Sequence, residues 1–457
     1  MAENTNEIKV PKRILNTLLS SLAAGVVPRS GAPYIAIGRQ EEIASLLDNL
    51  DTAADGGAFS RFLIGRYGSG KSFLIQLIRG YALERGFICA DADLSPERRL
   101  TGGAGAGLAT YKELMINLAS KACPDGGALP TILSRHFTAL RTELVGEGIM
   151  PETEAFESGL KKRVFAVLSE LEGDVGGFDF ARVLSEYYMA SLRDDGDKKA
   201  ACLRWLRGEF STKTEAKAAL GFSVSTVIDD ENWYNFIKLF SALSTRLGYA
   251  GFIVFIDECV NLYKIPNRIS REANYEKLLA IFNDTLQGKA RNLGVIFGGT
   301  PQFLEDTRRG LFSYEALRSR LADSRYSELG YQNLSSPVIR LRRLSDNELL
   351  ALVRRLARLY MQREGTDTPP VTDAELESFL VRELSRAGTD EMVTPREIIR
   401  DFLTVLNILK DNKRATVEEL MRGLTPSAGS APKEIDDTAE TVAPQAKKTV
   451  SLFDIDI

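Results

Sequence analysis

The chain has 457 residues, 44% of them hydrophobic and 26% charged, with a formal net charge of −4. This balance excludes a fibrous or wholly disordered chain, gives no overall nucleic-acid signature, and leaves room for two or three domains with cores of their own. The cysteines (Cys89, Cys123, Cys202, Cys259) are too far apart to form zinc-type pairs and the only histidine is His136, so neither a Cys/His metal site nor a disulfide framework is expected and a reducing cytoplasm fits.

Residues 8–26 read as one amphipathic helix, because Ile14, Leu15, Leu18, Leu19 and Leu22 recur at helical period. The stretch Leu15–Val27 imitates a signal peptide, but Asn16, Thr17, Ser20 and Ser21 interrupt it. No apolar run reaches the length of a membrane span, so a cytoplasmic protein is expected. Next, Ile37-Gly38-Arg39 runs into a helix through Glu41, Glu42 and Ile43. An I-G-R-x-x-E-I pattern at this place resembles the segment that packs on the nucleotide base in AAA+ ATPases, which makes Gly38 and Arg39 candidate nucleotide contacts. A plain capped helix is the alternative.

Gly65-Arg66-Tyr67-Gly68-Ser69-Gly70-Lys71-Ser72 matches the phosphate-binding loop G-x-x-x-x-G-K-[ST]. Arg61–Ile64 before it suits a buried strand; Phe73, Leu74, Leu77, Ile78 and Tyr81 after it have helical spacing, and Gly86 marks the stop. Such a loop turns backbone N–H groups onto phosphate oxygens at the positive end of the following helix. Lys71 would reach the β- and γ-phosphates of ATP, and the Ser72 hydroxyl would ligate Mg²⁺. Ile88–Leu94 reads as a second strand. From Ser95 to about Glu231 the pattern is helical, broken at Gly102–Gly107, Asp125–Gly127 and Gly173–Gly177.

Glu231–Leu247 is expected to be a helix, followed by Phe252–Ile256 ending in Asp257-Glu258. A strand apolar throughout, with acids emerging at its carboxyl end, is a Walker B pattern. Asp257 would hold Mg²⁺ through its water shell and Glu258 would orient and deprotonate the attacking water. After a helix at Arg271–Lys289 comes a strand at Leu293–Phe297 leading to Gly298-Gly299-Thr300-Pro301. Thr300 stands where AAA+ proteins carry the sensor-1 polar residue, with a turn threonine as the alternative. Arg318 and Arg320 are candidate arginine fingers, which would require subunits packed side by side; solvated helix charges are the plain alternative.

From Pro337 the texture is that of a small helical domain. Val393-Thr394-Pro395-Arg396 opens a helix with proline in its first turn, and resembles the sensor-2 element of AAA+ lids, so Arg396 would face the phosphates. Between Ile339 and Arg363 stand Arg340, Arg342, Arg343, Arg354, Arg355, Arg358 and Arg363, a stripe suited either to DNA phosphates or to a solvated face. Residues 426–457 are read as a disordered acidic tail.

The order Val26-Val27-Pro28-Arg29, Ile37-Gly38-Arg39, Gly65–Phe73, Asp93-Leu94-Ser95-Pro96, Arg204–Glu209, Asp230–Tyr234, Ile256-Asp257-Glu258 and Thr394–Glu397 resembles the BrxC/BrxD-type P-loop ATPases of BREX-like bacterial anti-phage systems over roughly residues 10–425. The resemblance implies an α/β AAA+ P-loop fold of broadly Orc-like type: a core at 1–335 with a helical insertion at about 95–230, and a lid at 336–425. It also implies ATP-driven work on DNA or on a DNA-handling partner, with a homo-oligomer, and a helicase or TerB-like neighbour, as expected partners. The chain leaves no room after the lid for a winged-helix domain. A slow nucleotide-dependent switch or scaffold that recruits a helicase or nuclease is the rival function.

Overall fold

The computed structural model describes residues 9–151, 153–168, 176–323, 333–386, 393–412 and 414–423. The proposed tail at 426–457 and most of the expected break at Gly173–Gly177 lie outside them.

The chain runs α1 (Lys12–Ala23), α2 (Gln40–Ala54), β1 (Ala58–Ile64), α3 (Lys71–Glu84) and β2 (Ile88–Asp93). Then come α4 (Ala106–Ile116), α5 (Leu129–Gly146), α6 (Glu154–Leu168), α7 (Gly177–Leu192), α8 (Gly196–Leu206), α9 (Lys213–Leu220) and α10 (Trp233–Arg246). The sheet resumes with β3 (Phe252–Asp257), α11 (Val260–Tyr263), α12 (Arg268–Leu286), β4 (Leu293–Gly299), α13 (Pro301–Glu305), α14 (Glu315–Leu321) and β5 (Val338–Arg340). Four helices close the described chain: α15 (Asp346–Glu364), α16 (Asp373–Arg386), α17 (Pro395–Asp411) and α18 (Val417–Gly423). Among the described residues no helix is long and apolar enough to cross a membrane.

The five strands form one sheet in the order β2-β3-β4-β1-β5, with every pairing parallel. Parallel strands are covered on both faces and read as nearly continuous apolar runs. Period-2 alternation sorts their side chains between two cores. Phe62, Ile64, Val254, Ile256, Val295 and Phe297 join the helices between β2 and β3, with Phe62 and Phe297 stacked at 5.1 Å. Phe59, Leu63, Ile253, Phe255 and Ile296 face α2 and α3. A third cluster joins Leu15, Leu18, Leu19 and Leu22 of α1 to Leu352, Leu356, Phe379, Phe402 and Leu406 of the C-terminal helices.

Two boundaries differ from the sequence reading. Residues 338–340 stood in the helical C-terminal unit, yet they extend the sheet, Phe62–Ile64 pairing with Val338–Arg340. Three residues are too few for a periodic signal. Residues 1–335 were read as one unit, yet the apolar face of α1 packs into the C-terminal cluster.

The stretch Asp230–Tyr234 is a tie within the helical region. Asp230 accepts from Gly105 N at 3.1 Å and Leu108 N at 2.7 Å, and Trp233 Nε1 donates to Leu100 O at 2.9 Å. These bonds pin the glycine-rich turn that starts α4.

Candidate functional site

The carboxyl ends of β1, β3 and β4 lie side by side, so the loop after β1 and the acids after β3 converge from positions 185 residues apart. Ser72 Oγ, at the start of α3, donates to Asp257 Oδ2 at 2.6 Å. Lys71 Nζ donates to Gly65 O at 2.9 Å and Arg66 O at 3.1 Å. Partial burial lowers the Lys71 pKa, while the nearby Asp257 and Glu258 carboxylates oppose this and Arg396 adds to it.

Two glycines show how tightly the site is built. A Cβ on Gly298 would lie 2.1 Å from Asp257 Oδ1, so β4 passes directly against the acid. Gly68 has φ +74°, the left-handed region that favours glycine, and a Cβ there would lie 2.7 Å from Thr394 Cβ. The start of α17 therefore rests on the loop. Within the same loop a Cβ on Gly65 would meet Ser69 Oγ at 2.4 Å, and Gly70 holds φ +94°. Glu258 itself has φ +56°. Non-glycine residues rarely adopt that conformation, and such strain concentrates at functional sites.

A cleft runs along the loop. Its lining joins a polar set, Tyr67, Gly68, Ser69, Gly70, Lys71, Ser72, Glu258 and Arg396, to an apolar one, Val26, Val27, Ile35, Ile37, Leu344 and Ile399. Phosphates need donors and positive charge, and a purine ring needs an apolar slot, so the two sets suit the two halves of an adenine nucleotide. Arg396 lies over the Tyr67 ring at 5.2 Å and donates from Nη1 to Tyr67 Oη at 3.2 Å.

The family model for the BREX system ATP-binding proteins BrxC/D matches residues 10–424. The chain belongs to that family. No curated protein matches it. This BREX protein is thus an ATP-binding protein of α/β fold, built on a five-stranded parallel sheet.

The other residues singled out in the sequence are placed as follows. Arg39 lines the cleft and is itself buried against the loop: Nη2 donates to Ser69 O at 3.1 Å and Nη1 pairs with Glu42 at 3.2 Å. Gly38, with φ +73°, lies against Leu344 and Glu348 and does not line the cleft. Thr300 caps α13, its hydroxyl accepting from Phe303 N at 3.3 Å. Arg318 pairs with Glu315 at 3.8 Å and Arg320 donates to Ala316 O at 2.6 Å; neither lines the cleft of its own chain. Arg66 is exposed beside the cleft.

Two contributions were not assigned from sequence. The Val26-Val27 wall appears there only as part of a longer motif, although an exposed valine pair before a proline is a readable signal; Val26 is 59% exposed. Asp93 is the register partner of Asp257 and lines the acid side of the site with Ser72 and Glu258. Loss of surrounding water pushes the Asp93 carboxyl up to about 6, and the charges of Asp257 and Glu258 add to the shift. It opens toward the cleft at the strand end, so like-charge crowding by the acid pair persists there even where water reaches it.

Proposed function

We propose that this BREX protein is an AAA+-type ATPase that hydrolyses ATP with Mg²⁺ and couples turnover to DNA binding, or to remodelling or recruitment of a DNA-processing partner. The observation that carries the reading is the Ser72–Asp257 hydrogen bond at 2.6 Å, with Lys71 and Glu258 on the same cleft. The Ser72 hydroxyl and the Asp257 carboxylate are the oxygen donors a hydrated Mg²⁺ takes; held between them, the ion would neutralise charge on the β- and γ-phosphate oxygens. Backbone N–H groups from Gly65 to Ser72 cradle the phosphates and Lys71 offsets their charge. Glu258 orients a water, accepts its proton as the oxygen bonds to the γ-phosphorus, and ADP departs with the electron pair of the broken bond. Arg396 reaches the phosphates from α17, and Thr300 at the end of β4 is the proposed γ-phosphate sensor, a role in which its hydroxyl gives up the α13 cap.

In this reading the sheet through β5 with its flanking helices is the ATPase core, about 95–230 its helical insertion, and the helices after β5, with α1 packed on them, its lid. Arg318 and Arg320 face outward on α14, a placement that suits a finger inserted into a neighbour's site and hence a homo-oligomer. DNA and a helicase or TerB-like protein are the proposed partners.

Lys71→Ala is expected to abolish nucleotide binding. Glu258→Gln is expected to keep binding and lower turnover by about 10²–10⁴-fold, the usual worth of general-base catalysis. Parental turnover in Glu258→Gln would overturn the assignment. Steady-state rates with and without DNA separate a motor from a slow switch.

A further inference from the structure

The turn leaving α1 crosses the acid side of the cleft. Gly25, Val26 and Val27 line both the apolar slot and the acid-side cavity. Arg29 lines the second with Ser72, Asp93, Asp257 and Glu258, and with Arg396 from the lid. Arg29 is exposed, and although carboxylates line the same cavity it pairs with none of them. Among the described residues its hydrogen-bond partner is a backbone carbonyl: Nη1 donates to Asp125 O at 3.3 Å, at the long end of the range. A guanidinium carries five N–H donors, so most remain available for an anion. Asp125 belongs to the turn between α4 and α5, the first two helices between β2 and β3.

We propose that Arg29 acts in cis on the terminal phosphate of the bound nucleotide, exchanging the Asp125 carbonyl for a phosphate oxygen and so removing one of the ties on the α4–α5 turn, which Arg79 Nη2 also holds through Pro124 O at 2.8 Å, when a γ-phosphate is present. The inference rests on the ATPase reading and adds a residue and a consequence to it. The exchange is favoured because the carbonyl takes a single long bond, whereas an anionic phosphate can accept two parallel N–H bonds from the guanidinium. It also places a cation where Asp93, Asp257 and Glu258 would otherwise repel the incoming phosphates. Arg396 is carried by α17, which packs in one cluster with α1, the helix whose exit turn carries Arg29.

The test uses the full chain with Mg²⁺ and compares the parent with Arg29→Gln and Arg29→Lys. Calorimetry gives the affinities for a non-hydrolysable ATP analogue and for ADP. Arg29→Gln is expected to lose about tenfold or more of the preference for the analogue, the worth of a bond to a charged group, with ADP affinity unchanged. Arg29→Lys keeps part of the preference. Hydrogen exchange across residues 117–128 is expected to be faster with the analogue than with ADP in the parent, and equal in Arg29→Gln. Because Arg29 serves its own chain, mixing Arg29→Gln with Lys71→Ala restores no turnover. An unchanged affinity ratio, a nucleotide-independent exchange pattern in the parent, or restored turnover on mixing would each overturn the proposal. A parent that binds both nucleotides without turning over ATP would sink the ATPase reading, and the affinity ratio would still decide on Arg29. Arg29 is exposed, so both variants are expected to melt with the parent.

Discussion

Gly298 carries no side chain because Asp257 occupies the space one would need. In Gly298→Ala the Asp257 carboxylate has to leave Ser72, so Mg²⁺-dependent turnover is expected to fall while circular dichroism shows a folded chain, less stable by about 1–3 kcal/mol from overpacking. A Gly-Gly-Thr turn is visible in the sequence, but the acid that forbids a methyl group there lies 41 residues away in the chain and cannot be read from it. Glu348 yields a pH test. Its carboxylate accepts from Ser345 N at 2.7 Å as the capping box of α15 and pairs with Arg342 at 2.7 Å. The Arg342 bond holds its pKa down to about 2, from an ordinary 4.5. A depressed acid contributes stability above its unfolded pKa and loses it as pH falls toward the folded one. Glu348→Gln should therefore cost about 1 kcal/mol at pH 7, the scale of a helix cap, and the gap in melting temperature should close between about pH 4.5 and 2. Tyr67 presents a third case, 72% exposed yet capped by Arg396. If the ring positions the arginine over the phosphates, Tyr67→Ala and Arg396→Ala will lower kcat non-additively, and Tyr67→Phe will keep most of the parental rate. Additive losses would show the two to be independent.

At the scale of elements, the strand–loop–helix unit around Gly65–Ser72 and the acidic strand end were legible, because each carries a local pattern: glycines at fixed spacing, then helical period, and an apolar run ended by two acids. The edge strand β5 was not, for want of length, nor was the role of Asp230–Tyr234, whose partners come from the far side of α4. The arginine stripe was legible as charge but not as pairing. Arg354 binds Asp373 at 3.0 Å and Glu377 at 3.3 Å, joining α15 to α16, and Arg340 pairs with Asp323 at 2.8 Å. Arg355 and Arg358 have no ion pair among the described residues. Arg354→Ala should thus lower the melting temperature by the small amount an exposed pair contributes, under about 1 kcal/mol, with the salt dependence of DNA binding unchanged. If Arg355 and Arg358 meet phosphates, replacing both flattens the slope of log K against log salt by about 0.9 for each phosphate no longer neutralised. A flat response to both substitutions would leave the stripe a structural feature only.

For the whole molecule, the arrangement of Arg318 and Arg320 outside their own cleft calls for a mixing experiment. Arg320→Ala combined with Lys71→Ala should recover some turnover, since each chain lacks a different half of a shared site; an arginine finger contributes roughly 10³–10⁵ in rate. A strictly monomeric chain with full activity would sink the idea, and the same holds for Arg318. The α/β class with its parallel sheet was readable from strands alternating with helices. The joining of α1 to the C-terminal helices was not, because an amphipathic period says that a face is buried and never says against what.

That joining has a consequence for synthesis. The leucines of α1 leave the ribosome well before the helices that cover them, which include α17, some 380 residues later in the chain. At about 5–20 residues per second, the face waits roughly 20–80 s with its apolar surface bare. Until then Leu15, Leu18, Leu19 and Leu22 are a ready target for a holding chaperone, and the slot formed by Val26 and Val27 has no roof. Nucleotide can be gripped on its apolar side only once α17 has emerged, so the nascent chain is silent toward ATP until then.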